Sequence, residues 1–301
     1  MRTESLALLM PGGIEREERT FVDATFGTGG HTTAILEHER CRVIAFDADP
    51  AAYARALELR EHFGSRLVPV HANYAELAQR LDDLGVTEVD GILYDLGLSS
   101  LQLADSTRGF SFAGNEPLDM RLDPTSNDPT AADLLATVSQ ADLADIIFTY
   151  GGERHARRIA RQIIERRERS PLRTTSDLVA AVLSARPREA ARGRIHPATR
   201  TFQALRIAVN REGERLESSL DAAIDRLRPG GRIVAISFHS GEDRIVKHRF
   251  AQWRREGRAT ILTRKPLAPA AREQIANPRS RSAKLRAAEK MLVARSQAEA
   301  A

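Results

Sequence analysis

The stretch Phe21-Val22-Asp23-Ala24-Thr25-Phe26-Gly27-Thr28-Gly29-Gly30-His31 decides the fold. Thr20 to Phe26 has the β-branched and aromatic content of a short buried strand. Three glycines in four positions follow, and a helical stretch begins at about Thr32. Strand, glycine turn and helix make the ligand-gripping corner of a doubly wound α/β sheet. Glycine suits that corner because the backbone turns sharply and a ligand comes close. A dinucleotide fingerprint carries a third glycine three residues after the second. Counted from Gly29, that place is held by Thr32.

The next segments continue the alternation. Cys41 to Phe46 reads as a second strand ending at Asp47, and Pro50 opens a helix, where proline is favoured. An acid ending the second strand of such folds accepts from both ribose hydroxyls. Asp47 lies 18 residues after Gly29, against an expected spacing of ~20. Asp49 reads as the cap of the helix that follows rather than as part of a metal site, because two carboxylates lack a third ligand nearby. Arg66 to His71 is a third strand. Tyr74, just after it, either stacks on an adenine or packs a helix start. Asp90 to Leu96 is a fourth strand, and it delivers Asp95 to the carboxyl edge where such sheets bind and react.

After Gln102 the alternation stops. Arg108 to Phe112 and Pro117 to Arg121 read as structured loop. Helical spacing then places Leu134, Leu135 and Val138, next Leu143, Ile146 and Ile147, and next Ile159, Ile163 and Ile164 on apolar faces. Thr175 reads as a further helix cap. The sheet resumes with a helix marked by Leu216, Leu220, Ile224 and Leu227, a Pro229-Gly230-Gly231 turn, and a buried strand from Arg232 to Phe238. Ala259–Thr263 and Ser282–Ala288 read as a closing pair of strands. The expected organisation is one α/β domain in two parts, 1–103 and 204–301, with a helical substrate-recognition domain, 104–203, inserted between them. Residues 1–19 carry no legible element and are expected to be partly mobile.

The chain has 301 residues, enough for a substantial core. One cysteine, Cys41, excludes an internal disulfide and fits a reducing cytoplasm; it reads as a small buried hydrophobe, not a nucleophile. The run Leu6–Met10 is too short for a signal peptide. No segment approaches the ~18 apolar residues of a membrane helix, so no membrane is expected. Charge is uneven. Residues 1–150 hold 11 Lys and Arg against 25 Asp and Glu, whereas residues 151–301 hold 34 against 16. That asymmetry suggests a polyanion partner for the second half, or a solvated basic face.

The acid followed by a Gly-x-Gly turn resembles the first motif of S-adenosylmethionine (SAM) methyltransferases. Longer blocks sharpen this. They are Asp23–His31, Asp95–Ser100, Arg108–Phe112, Pro117–Arg121, His196–Arg206, Ile236–Ser240 with Glu242–Arg244, and Asn277–Arg286. In order, over residues 20–290, they resemble the bacterial ribosomal RNA small-subunit methyltransferase H family. The resemblance implies a Rossmann-like SAM-dependent methyltransferase fold with an inserted helical domain. It implies N4-methylation of a cytidine in the decoding region of 16S rRNA, within the small ribosomal subunit. It also carries SAM contacts onto Gly29, Gly30, His31, Asp47, Tyr74, Asp95 and Gln102. The family's His-x-Pro-Val-Leu-Leu-like opening segment is missing from residues 1–19. Leu101, Gly213 and Gly241 stand where the family has Pro, Leu and Leu.

Methyl transfer from a sulfonium needs chiefly alignment of donor and acceptor. Cytosine's amine is a poor nucleophile, because its lone pair is delocalised into the ring. An acceptor bonded to one N–H localises that pair and stabilises the charge developing on nitrogen. Asp95 is the first candidate for that acceptor, or else it only holds the cofactor; His239 and Ser240 are the second, with a backbone-satisfied histidine as the alternative for His239. Asp47, Asp95 and the backbone at Gly29 are expected to converge on one cavity. Phe110, Phe112 and Phe202 either stack on a base or fill the core. Arg200, Arg206, Arg244, Lys247, Arg279, Arg281 and Lys284 are the expected phosphate contacts. Two other classes compete: an assembly-associated RNA-binding protein with impaired catalysis, which binds SAM without transferring its methyl, and an NAD-dependent dehydrogenase, which lacks its third glycine here. The sequence leaves the oligomeric state undetermined.

Overall fold

A computed structural model of the chain describes residues 1–11, 18–112, 114–185 and 196–291. The chain divides into two compact units, Met1–Gly97 with Gly213–Ala301, and Leu98–Glu212. In chain order the elements before the division are α1 (Arg2–Leu9), β1 (Arg19–Asp23), α2 (Gly30–Leu36), β2 (Cys41–Asp47), α3 (Pro50–Phe63), β3 (Leu67–His71), α4 (Leu77–Asp83) and β4 (Val89–Asp95). The second unit holds α5 (Ser100–Ala104), α6 (Ala131–Thr137), α7 (Gln140–Gly151), α8 (Ala156–Arg169), α9 (Thr175–Ser184) and α10 (Thr199–Val209). Then come α11 (Glu212–Arg226), β5 (Leu227–Ser237), α12 (Ser240–Arg255), β6 (Ala259–Ile261), α13 (Ala271–Ala276) and β7 (Lys284–Lys290).

The seven strands make one sheet in the order β3-β2-β1-β4-β5-β7-β6. Strands β1 to β5 pair in parallel, and β7 runs antiparallel to both β5 and β6. This is the mostly parallel, doubly wound sheet expected from the sequence. Its central strands β1, β2 and β4 are buried on both faces, and the side chains sort by the two-residue period of a strand. Val22, Ile44, Phe46, Ile92 and Tyr94 pack on one face with Leu77, Leu81, Leu216, Leu220, Phe250 and Trp253. Phe21, Val43, Ala45, Leu93 and Val234 pack on the other with Ile35, Leu36, Ala52 and Ala56.

Three expectations need correction. Residues 2–9 are not loose: they form α1, whose Leu9 is buried on the second face. Gly91 makes the room, since a Cβ there would stand 2.7 Å from Leu9 Cδ1. Pro229-Gly230-Gly231 is not a turn ahead of a strand but lies inside β5. The pairing with β4 jumps from Val89↔Leu227 to Gly91↔Arg232, so the extra residues form a bulge, a usual place for proline and glycine in a strand. Finally, the cap of α9 is Thr174, whose hydroxyl accepts from the Asp177 N–H, and not Thr175. Asp49 does cap α3, accepting from the Ala51 N–H at 2.9 Å.

Gly213, one of the departures from the family pattern, lies in the first turn of α11. A Cβ there meets only Ile245 Cδ1, at an ordinary 3.5 Å. Gly213→Ala is therefore expected to stabilise the protein by about 0.5–1 kcal/mol, through helix propensity and a stiffer unfolded chain. Thermal unfolding reads this as a raised midpoint.

The second unit, Leu98–Glu212, is helical. Its core gathers Leu135, Leu143, Ile147, Ile159, Ile163, Leu178 and Leu205. Polar side chains cap the helices: Thr130 for α6, Ser139 for α7 and Thr174 for α9. Arg108–Phe112 and Pro117–Arg121 lie in the structured loop anticipated before α6. Arg108 donates to the carbonyls of Arg121 and Leu122, both at 2.8 Å. No helix among the described residues is long and apolar enough to cross a membrane.

Candidate functional site

The turn after β1 is tied to its neighbours by three side chains at the carboxyl edge of the sheet. Asp47, at the end of β2, accepts from the Gly27 N–H at 2.7 Å and from the Asp49 N–H at 2.9 Å. Asp23, at the end of β1, accepts from the Thr32 hydroxyl at 2.7 Å and from the Thr25 N–H at 3.2 Å. Thr25 in turn accepts from the Asp95 N–H at 2.6 Å, which fixes the end of β4. Gly29 has φ +82°, and a Cβ on it would stand 2.7 Å from the Phe26 ring. No other residue closes this turn without moving Phe26.

The edge is rich in buried carboxyls. Burial pushes Asp23 and Asp47 up to about 6 and Asp95 up to about 7. Burial pushes His31, in the first turn of α2, down to about 4. His31 Nδ1 lies 3.5 Å from Asp95 Oδ2. Asp95 Oδ1 and His31 Nε2 are both shielded from solvent without a hydrogen-bond partner. Unsatisfied buried polar atoms mark a site awaiting a ligand or ordered water. A cavity of about 70 Å³ adjoins them, shared with Ile236, Phe238, Asn277 and Ser280 among others.

The cavity at Asp95 and His31 does not take in Asp47, Tyr74 or Gly29. The physical reason is that both Asp47 oxygens turn back to backbone amides. The turn is held by the Asp47 carboxylate at Gly27 and by the Asp95 backbone N–H at Thr25. Tyr74 sits half-buried in a single 3-10 turn, edge-on to Tyr94 with ring centres 6.0 Å apart. Gly30 opens α2. Gln102 lies in α5, where it and Ser99 form a reciprocal capping box at 2.9 and 3.2 Å.

His239 is the N-cap of α12. Its Nδ1 accepts from the Gly241 and Glu242 N–H groups at 3.2 and 3.4 Å, and its Nε2 lies 3.0 Å from Glu242 Oε1. His239 is not among the residues lining the cavity. Nδ1 thus caps the start of α12, whereas Nε2 is shielded from solvent without a hydrogen-bond partner. Cys41 is buried, and its thiol is pushed up to about 11, as a structural cysteine requires.

Two of the expected phosphate contacts are engaged inside the protein. Arg206 grips Glu212 through Nε and Nη2 at 2.7 and 2.8 Å, a bidentate pair that leaves little for a phosphate. Lys284 donates to Asp243 at 3.0 Å. Arg200 is exposed while donating to the Gly152 carbonyl at 3.3 Å. Arg244, Lys247, Arg279 and Arg281 are exposed. Phe110 and Phe202 are buried in the helical core, whereas Phe112 is half-buried and stacks on His196 at 4.5 Å. Sequence reasoning missed Thr32, which holds Asp23; its signal was a hydroxyl where a dinucleotide fold has glycine.

The family model described as the MraW methylase family matches residues 1–291. Three curated relatives are named ribosomal RNA small subunit methyltransferase H. The protein from Thermomicrobium roseum is 50% identical over 296 residues, covering 92% of this chain and 89% of that one. The protein from Bradyrhizobium diazoefficiens is 47% identical, covering 91% and 87%. That from Gloeobacter violaceus is 49% identical, covering 93% and 83%.

Proposed function

The chain belongs to the MraW methylase family, and from that premise we propose that it methylates the N4 amine of a cytidine in the decoding region of 16S rRNA, with SAM as donor. The observation that carries the reading is the Asp95 carboxylate, with one shielded oxygen lacking a partner, beside a cavity that His31 of α2 also lines. The residues fit the donor. Nothing lies within 4 Å of where a Cβ on Gly30 would stand, so a ligand can approach the backbone there, and the carboxyls of Asp23, Asp47 and Asp95, when ionised, attract a cationic sulfonium and ammonium. SAM supplies an electrophilic methyl group when bound. The backbone from Gly29 to His31 takes its methionine part, Asp47 takes the ribose through its remaining lone pairs, and Tyr74 borders the adenine.

Asp95 then accepts a hydrogen bond from one N–H of the cytosine amine. The other face of that nitrogen points its lone pair at the methyl. As positive charge develops on nitrogen, the carboxylate stabilises it and takes the proton. The base reaches this edge only when unstacked. The family match removes the dehydrogenase alternative. The test is incubation of labelled SAM with immature small subunits, followed by nucleoside analysis. Label in N4-methylcytidine from the decoding region is expected; SAM binding without transfer, or label in another nucleoside, overturns the reading.

Donor binding should depend on pH. Asp47 at about 6 sits above its ordinary 3.8, and a cationic donor binds the ionised form better. Affinity by calorimetry is expected to weaken about tenfold between pH 7.5 and 5, with proton release on binding. Asp47→Ala should bind SAM weakly across that range, with the pH dependence reduced to what Asp23 and Asp95 contribute.

RNA binding should depend on salt. Arg200, Arg244, Lys247, Arg279 and Arg281 are the exposed candidates for phosphate contact. The logarithm of affinity should fall with the logarithm of salt at a slope of about −3.5 for five single-strand phosphates. Arg281→Ala should make that slope shallower by about 0.7. Arg206→Ala should leave the slope unchanged and lower stability instead.

A further inference from the structure

We propose that Asn277 is a specificity residue, whose side-chain amide donates a hydrogen bond to the acceptor edge of the target cytosine. The inference rests on the reading of the Asp95 cavity as the base site. Cytosine presented with its amine toward Asp95 carries two acceptors, N3 and O2, on the same edge, whereas uracil carries an N–H at N3. The cavity must therefore offer a donor to hold cytosine and to reject its commonest competitor.

The groups around the cavity leave few choices. Asp95 and Glu273 are carboxylates, and Glu273 is engaged by the Met1 ammonium. The Ser280 hydroxyl donates to the Asn277 carbonyl at 2.8 Å. His31 turns Nδ1 toward Asp95; the proton of the neutral ring belongs on that nitrogen, which leaves Nε2 an acceptor. Asn277 is different. Its side-chain amide makes no hydrogen bond among the described residues, yet it lines the cavity. Its backbone is held on both sides: its N–H donates to the Glu273 carbonyl at 2.7 Å, and its carbonyl accepts from the Ser280 N–H at 2.9 Å. An amide on a fixed backbone loses little freedom when it engages a base. Amides also pair well with base edges because they are planar and neutral.

The experiment measures kcat/KM on immature small subunits and, separately, SAM affinity by calorimetry. Asn277→Ala is expected to lower kcat/KM about 10–100-fold with SAM affinity within about threefold of the unmodified chain. Asn277→Asp keeps the shape but has no donor, and should fall at least as far. Asn277→Gln keeps the donor and should recover part of the loss. Equal activity in the Ala and Asp variants and the unmodified chain overturns the inference. So does an Asp variant that retains activity while the Ala variant loses it, because shape alone then matters. A parallel fall in SAM affinity overturns it too. If the unmodified chain labels no cytidine N4, the reading of the site fails first, and that outcome is visible before any variant is made.

Discussion

Replacing Asp95 with alanine is expected to slow methyl transfer by about 10²–10⁴-fold, the usual range for a lost acid–base group, while SAM still binds. The cause is specific to the reaction. The cytosine amine reacts only as its lone pair leaves conjugation with the ring, and Asp95 is the acceptor placed to draw it out. Burial raises Asp95 to about 7, so the group is matched to taking a proton near neutral pH. In the unmodified enzyme kcat/KM should rise about tenfold per pH unit below ~7 and level off above it. In the variant that ionisation is gone, and the residual rate should be flat across it. The sign for stability is opposite. A carboxyl whose folded value lies above its ordinary 3.8 weakens the fold as pH rises from about 4 through about 7. Asp95→Ala should therefore unfold at the same or a higher temperature at pH 8, which separates lost chemistry from lost structure. Full activity in a stable Asp95→Ala would remove the proposed mechanism.

The second large effect is structural. Asp243, in the first turn of α12, accepts from Arg286 Nε at 2.7 Å and from Lys284 Nζ at 3.0 Å. Arg286 is buried on β7. Asp243→Ala leaves that guanidinium buried without its carboxylate and is expected to cost about 3–5 kcal/mol. Burial pushes the Asp243 carboxyl up, but the hydrogen bonds from Arg286 and Lys284 outweigh it and hold the group below the usual range. Its contribution is thus present above about pH 4 and is lost as pH falls through the depressed value. Denaturant unfolding at pH 7 should show the loss. The double variant Asp243→Leu with Arg286→Met should recover most of it, since a buried ion pair replaced whole is often neutral.

The sheet was legible because its signals are local. Three strands, β1, β2 and β4, are short apolar runs that end at an acid, Asp23, Asp47 and Asp95. What escaped depends on partners distant in sequence. Leu6–Met10 looks like an isolated apolar run until Gly91 opens a space for Leu9. Pro229-Gly230-Gly231 has the composition of a turn, and only pairing with β4 makes it a bulge. Arg206 and Lys284 look like free cations until Glu212 and Asp243 are seen beside them. The imidazole of His239 reads as chemistry in a motif and as a cap in the fold. Asp47 was found by its spacing, but the direction of its oxygens was set by amides that a sequence does not orient.

The bulged strand β5 has a bearing on how the protein is made. It fills the place between β4 and β7, yet 132 positions separate Asp95 from Leu227. At ~5–20 residues per second, a ribosome needs on the order of ten seconds to extend the nascent chain that far. Throughout that interval β4 presents an unpaired apolar border, the kind of surface on which aggregation begins. The seven described helices encoded in the gap, α5 to α11, rely on short-range contacts and can fold during the wait. A chain halted before Leu227 should therefore be a chaperone client, whereas one released after Lys290 should not.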